Sequence, residues 1–119
     1  VPSIRSKISD DFLLFSGEDS TALAFNASGG DGIISVASNI APQICNQLQK
    51  LSLEGKIKEA QKIQQDVYKI AEVLFAEVNP IPVKFAAFLM GMCQNEYRLP
   101  LCEPSEDVKN KIKEILTLC

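Results

Sequence analysis

The chain has 119 residues, of which 46% are hydrophobic and 23% charged, a balance that excludes a disordered polymer and suits a packed core. A formal net charge of −3, with no basic stripe, argues against a phosphate-backbone partner. The longest strongly apolar run, residues 85–93, is interrupted by Gly91 and falls far short of the roughly 20 residues that span a bilayer, which argues against a membrane segment.

Phe12-Leu13-Leu14-Phe15 is a short continuous apolar run closed by Ser16-Gly17-Glu18-Asp19, and Gly32-Ile33-Ile34-Ser35-Val36 is a second, rich in β-branched residues. Both predict strands buried on two faces, as in a parallel sheet. Between them, residues 19–28 predict a short helix, with Asp19 or Ser20 capping its first amides. Strand, helix, strand is the βαβ unit, so the fold class is α/β.

Asn39-Ile40-Ala41-Pro42 opens a further helix in which Ile44, Cys45, Leu48, Leu51 and Leu53 recur near a period of 3.6, and Gly55 ends it. Residues 56–77 form the clearest amphipathic pattern. Ile57, Ala60, Ile63, Val67, Ile70 and Leu74 lie opposite Lys58, Lys62, Gln65 and Lys69. Asn79 is expected to cap a helix over 81–94, with Pro80 at its first position, that is apolar almost all round and therefore buried. After Arg98-Leu99-Pro100-Leu101, Ser105 caps a last helix with Glu106 and Asp107 in its first turn and Val108, Ile112, Ile115 and Leu116 on its inner face.

Four features carry candidate chemistry. Ser16-Gly17-Glu18-Asp19 lies at the carboxyl end of the first strand, where α/β sheets and barrels place binding loops; a turn with a helix cap is its plainer reading. Gly29-Gly30-Asp31-Gly32 follows a helix and precedes a strand, the reverse of a phosphate loop, so it reads as a helix C-cap and tight turn. Lys84 on the apolar helix invites a Schiff-base reading, against the commoner outcome of snorkelling or pairing with a carboxylate. Cys45, Cys93, Cys102 and Cys119 lack any CxxC pair and the chain has no histidine, so no metal site is expected. Reduced thiols and a cytoplasmic setting are the default.

Two parallel strands do not make a self-sufficient sheet, since each leaves an unpaired edge and apolar faces to cover. The first residue is Val1, and residues 1–11 read as the tail of something earlier. The expectation is a carboxy-terminal portion of a larger α/β enzyme.

In order along the chain, Phe12-Leu13-Leu14-Phe15-Ser16-Gly17-Glu18-Asp19, Gly29-Gly30-Asp31-Gly32-Ile33-Ile34-Ser35-Val36, Asn79-Pro80-Ile81-Pro82-Val83-Lys84 and Arg98-Leu99-Pro100-Leu101 resemble the dihydrodipicolinate synthase family. The resemblance covers essentially the whole chain, and the Asn-Pro-Ile-Pro-Val-Lys block favours that family over the related N-acetylneuraminate lyases and keto-acid aldolases. It implies the last two strand-helix units of a (β/α)8 TIM barrel over 1–55 and a helical carboxy-terminal region over 56–119. It implies a class I aldolase-type lyase that condenses pyruvate with aspartate semialdehyde in lysine biosynthesis, without a cofactor, in an enzyme commonly assembled as a tetramer.

By the same resemblance the Schiff-base lysine ends the sixth strand, before Val1, so no catalytic residue is expected here and the chain alone is expected to be inactive. The pyruvate-binding threonines, relay tyrosines and substrate arginine also fall earlier. Three residues carry over as substrate-binding. Ile34 matches the position whose main chain contacts pyruvate, Gly17 a glycine lining the same pocket, and Glu18 an acidic position at its mouth, where the family often has aspartate. Lys84 matches a motif lysine that is not the Schiff-base residue. The alternatives are a non-catalytic fragment or helical interaction module, and neuraminate-type specificity on the same scaffold.

Overall fold

The computed structural model describes residues 1–118. After a short helix α1 (Pro2–Arg5), strand β1 (Phe15–Ser16) pairs in parallel with β2 (Gly32–Ile33), with Phe15 opposite Gly32 and Ser16 opposite Ile33. The crossover between them is a 3-10 turn (Asp19–Thr21) followed by α2 (Ala22–Ala27), so the expected strand, helix, strand order holds.

The strands are shorter than expected, for local reasons. Upstream of β1, the main-chain N–H of Leu14 donates to the Asp31 carboxylate (2.7 Å) while its carbonyl accepts from the Asp31 N–H (2.9 Å). Downstream of β2, the N–H groups of Val36 and Ala37 turn inward to a side chain, and the chain enters a 3-10 turn, Ala37–Asn39. The burial expected for both strand faces is not found. Phe12, Leu13, Phe15 and Ile34 are exposed, because no further strand covers either edge of the pair among the described residues.

Helix α3 (Pro42–Leu53) buries Cys45 and Leu48, half-buries Ile44 and Leu51, and leaves Leu53 in solvent. Gly55 ends it as expected, at φ +73°, and the N–H groups of Gly55 and Lys56 return to the carbonyls of Ser52 and Leu51. Helix α4 (Ile57–Leu74) buries Ala60, Val67, Ile70 and Leu74 against α3, with Ile63 half-buried beside them; Ile57, at the first turn, stays partly exposed.

Helix α5 (Ile81–Leu89) departs from expectation at both ends. Asn79 does not cap it; the N-cap is Pro80, without a side-chain bond. At the other end Gly91, at φ +76°, stops the helix at Leu89, well before residue 94. Ile81, Val83, Phe85 and Ala86 are buried, but Phe88, Leu89 and Met90 are partly exposed, so only the first half is a core helix.

In α6 (Glu106–Ile115), Ser105 caps as expected, its Oγ accepting from the Val108 N–H at 3.4 Å, and Val108, Ile112 and Ile115 face the core. A single cluster spans α2 to α6, with Ile40, Leu48, Ile70, Leu74 and Ile112 almost fully buried, each contributing about 1.5–3 kcal/mol of transfer free energy. Among the described residues Cys45, Cys93 and Cys102 form no disulfide; Cys119 lies outside them.

Candidate functional site at the carboxyl ends of the strand pair

The parallel register sets the site. The Ile34 N–H donates to the Ser16 carbonyl at 2.7 Å, which continues the ladder by one step and sets Gly17 and Ile34 side by side at the carboxyl ends of β1 and β2. A Cβ built on Gly17 would meet nothing within 4 Å, so the backbone there borders open space. Ile34 is 70% exposed. The two strand ends thus set bare backbone at Gly17 beside an apolar residue at Ile34.

Glu18 follows Gly17 and folds back on its own turn. Its Oε1 accepts from the Ser20 hydroxyl (2.6 Å) and the Ser20 N–H (3.0 Å), while its own N–H donates to Ser16 Oγ (3.0 Å). The Ser20 hydroxyl, and then its N–H, hold the carboxyl below its ordinary pKa. Glu18, not Asp19 or Ser20, is thus the cap of the 3-10 turn.

Asp19 has a different role, one that the sequence reading did not anticipate. It is fully buried. Its Oδ2 accepts from the N–H groups of Val36 (2.9 Å) and Ala37 (3.1 Å), and its Oδ1 from the Ser35 hydroxyl (2.5 Å). From α4, Gln64 Nε2 donates to the carbonyls of Asp19 (3.1 Å) and Ser20 (3.2 Å), and Gln64 Oε1 accepts from the Leu23 N–H (2.9 Å). Nothing in the helical pattern of α4 distinguishes Gln64 from its polar neighbours. The one available signal was two consecutive acids where a single cap suffices.

Lys84 pairs with a main-chain carbonyl instead of a carboxylate. Its Nζ donates to the Glu96 carbonyl at 2.6 Å and lies 5.3 Å from the centroid of the Tyr97 ring, a neighbour brought from a separate segment. Two grooves meet at Pro80 and Lys84. One, of about 320 Å³, reaches Val36 and Asn39 after β2; the other, of about 410 Å³, is lined also by Glu96, Tyr97, Arg98 and Leu101. Among the described residues no group of three or more acidic or cysteine side chains is placed to hold a metal ion, and no helix is long and apolar enough to cross a membrane.

Residues 1–118 match the family model described as the dihydrodipicolinate synthetase family. The chain belongs to this family. It is 46% identical over 114 residues to the 4-hydroxy-tetrahydrodipicolinate synthase of Rickettsia canadensis (strain McKiel), an alignment covering 96% of this chain and 39% of the relative. The enzyme of the same name from Rickettsia prowazekii (strain Madrid E) is 45% identical over the same length. The crystal structure of dihydrodipicolinate synthase from Aquifex aeolicus superposes with a TM-score of 0.94 at 40% identity, over 98% of this chain and 40% of that one. Dihydrodipicolinate synthase from Thermotoga maritima superposes at 0.92 with 35% identity, over 98% of this chain and 39% of that one.

The chain therefore spans about two fifths of the length of the synthetase-family relatives it matches. Its fold is the last two strand-helix units of their (β/α)8 barrel with the helical region that follows. This accounts for the exposed strand faces, since a barrel strand is covered on both sides only when its neighbours close the ring.

Proposed function

We propose that the chain is the carboxy-terminal portion of a class I aldolase-type lyase that condenses pyruvate with aspartate semialdehyde in lysine biosynthesis, acting through a Schiff base on a lysine outside these residues. The observation that carries the reading is the joint placement of Gly17 and Ile34 at adjacent strand ends, within a match to the family that runs from residue 1 to 118. In this reading Gly17 lets the backbone approach the keto acid, and the main chain at Ile34 contacts it. The Ile34 side chain keeps water from the imine. Glu18 stands at the pocket mouth, where its Oε2, which takes no hydrogen bond among the described residues, accepts from the second substrate.

Residues 1–55 then complete the barrel and residues 56–119 form the helical region, the turn at Gly55 marking the change from one to the other. The complete enzyme works without a cofactor, as a cytoplasmic homo-oligomer with the tetramer as the expected state. Lys84, bonded to the Glu96 carbonyl beside Tyr97, takes no part in the imine.

The test is reduction of the enzyme with borohydride in the presence of pyruvate. A full-length family member carrying this chain as its carboxy-terminal portion gains the mass of one reduced pyruvate imine, on a lysine outside residues 1–119. The isolated chain remains unmodified. An adduct on Lys84, or turnover of N-acetylmannosamine in preference to aspartate semialdehyde, would overturn the assignment.

A further inference from the structure

We infer that Asp19 is a positioning residue for the pyruvate pocket: its carboxyl group clamps the main chain after β2 to the loop after β1, and thereby sets the distance between Gly17 and Ile34. The inference rests on the pocket reading proposed above. Asp19 lies two residues beyond Gly17, and its carboxyl group accepts from the two N–H groups that begin two residues beyond Ile34.

The Ile34 main chain is held from both sides. The Ile34 N–H is bound to the Ser16 carbonyl, and the next three residues are bound to Asp19, through the Ser35 hydroxyl and the Val36 and Ala37 amides. The Ser35 hydroxyl in turn accepts from the Ser38 N–H at 2.8 Å, which seats the following 3-10 turn. Asp19 is itself anchored through its carbonyl by Gln64, from a helix outside the strand pair. A fully buried carboxyl group with three such acceptor bonds is costly to displace, because without them it would be left buried and unpaired. The clamp also borders the groove that Val36 shares with Asn79, Pro80 and Lys84, so it positions the wall on that side.

The test separates positioning from plain stability by comparing Asp19→Ala, Asp19→Asn and Ser35→Ala in the full-length enzyme. Asp19→Ala removes all three acceptor bonds; Asp19→Asn keeps the shape and one oxygen that can accept both amides. The expected result is a rise of about tenfold in the pyruvate KM for Asp19→Ala, with kcat within about threefold, and faster amide exchange at Val36 and Ala37. Asp19→Asn should rescue the KM to within about threefold of the unsubstituted enzyme.

Should Asp19→Ala fail to fold, Ser35→Ala, which deletes only the hydroxyl bond, should raise the pyruvate KM about threefold. A lowered Tm with an unchanged pyruvate KM in the folded Asp19→Ala or Ser35→Ala enzyme would overturn the inference, as would equal impairment of the Asn and Ala variants. Absence of any pyruvate adduct in the unsubstituted enzyme would instead refute the pocket reading itself.

Discussion

Gly30→Ala offers the sharpest stability test, because the structure supplies the clash. Gly30 is buried in the turn that leads from α2 to β2, and a Cβ added there would lie 2.2 Å from both Cδ1 and Cε1 of the Phe25 ring and 3.0 Å from the Phe25 carbonyl oxygen. Ordinary contact begins at 3.4 Å, so the ring must swing by more than an ångström. The backbone cannot retreat freely, since the Gly30 N–H is bonded to that same carbonyl at 3.1 Å. Gly30 does not have a positive φ, so the effect is steric and not conformational. Overpacking of this kind costs about 1–3 kcal/mol; the half-buried Phe25 ring can swing toward solvent, which argues for about 1–2 kcal/mol. For a chain of this length that lowers Tm by about 4–8 °C, readable by thermal or urea denaturation followed by circular dichroism. The control is Gly17→Ala, where the added Cβ meets nothing and the change should stay within about 0.5 kcal/mol. Equal stability of the Gly30 and Gly17 variants would refute the reasoning.

Two further outcomes follow from the packing and the charge network. Leu48→Ala, at a fully buried position in α3 at the centre of the cluster, should lose about 2–5 kcal/mol, seen as a shift of the urea midpoint at an unchanged slope. The Asp31 carboxyl is held below its ordinary pKa by the Leu14 N–H and then by the Arg5 guanidinium, which also donates to the carbonyls of Phe12 and Gly29. A depressed folded-state value means that this stabilisation is present above about pH 4 and is lost as the pH falls through the folded value. Asp31→Asn should therefore flatten the acid limb of the stability curve below about pH 4, and an acid limb identical to that of the unsubstituted chain would count against the pairing.

Helices were the most legible part of the chain. The seam of α4 and the Ser105 cap with Val108, Ile112 and Ile115 on α6 follow from local rules, a period of 3.6 and a hydroxyl beside free amides, and these rules operate without reference to the rest of the fold. Gly55 likewise stops α3 through its own backbone freedom. The start of α5 is not legible locally, because both Asn79 and Pro80 suit a helix beginning and the choice between them lies in how the preceding chain approaches. The exposure of Phe12, Leu13, Phe15 and Ile34 departs from their apolar pattern for a different reason. Apolar strands record the environment of a closed barrel, and the described residues hold two of its strands.

For the candidate site the division is finer. The succession of apolar run, Ser16-Gly17-Glu18-Asp19, glycine turn and β-branched run was sufficient by itself to determine a parallel strand pair with a binding-type loop at its carboxyl end, since each step depends on near neighbours in the chain. Which of two adjacent acids would cap the turn and which would be buried was not determined there, because Glu18 and Asp19 offer nearly the same local chemistry. Parallel pairing decided it. Only when β2 lies against β1 do the Ser35 hydroxyl and the amides of Val36 and Ala37 come within reach of one carboxyl group, and that group belongs to Asp19.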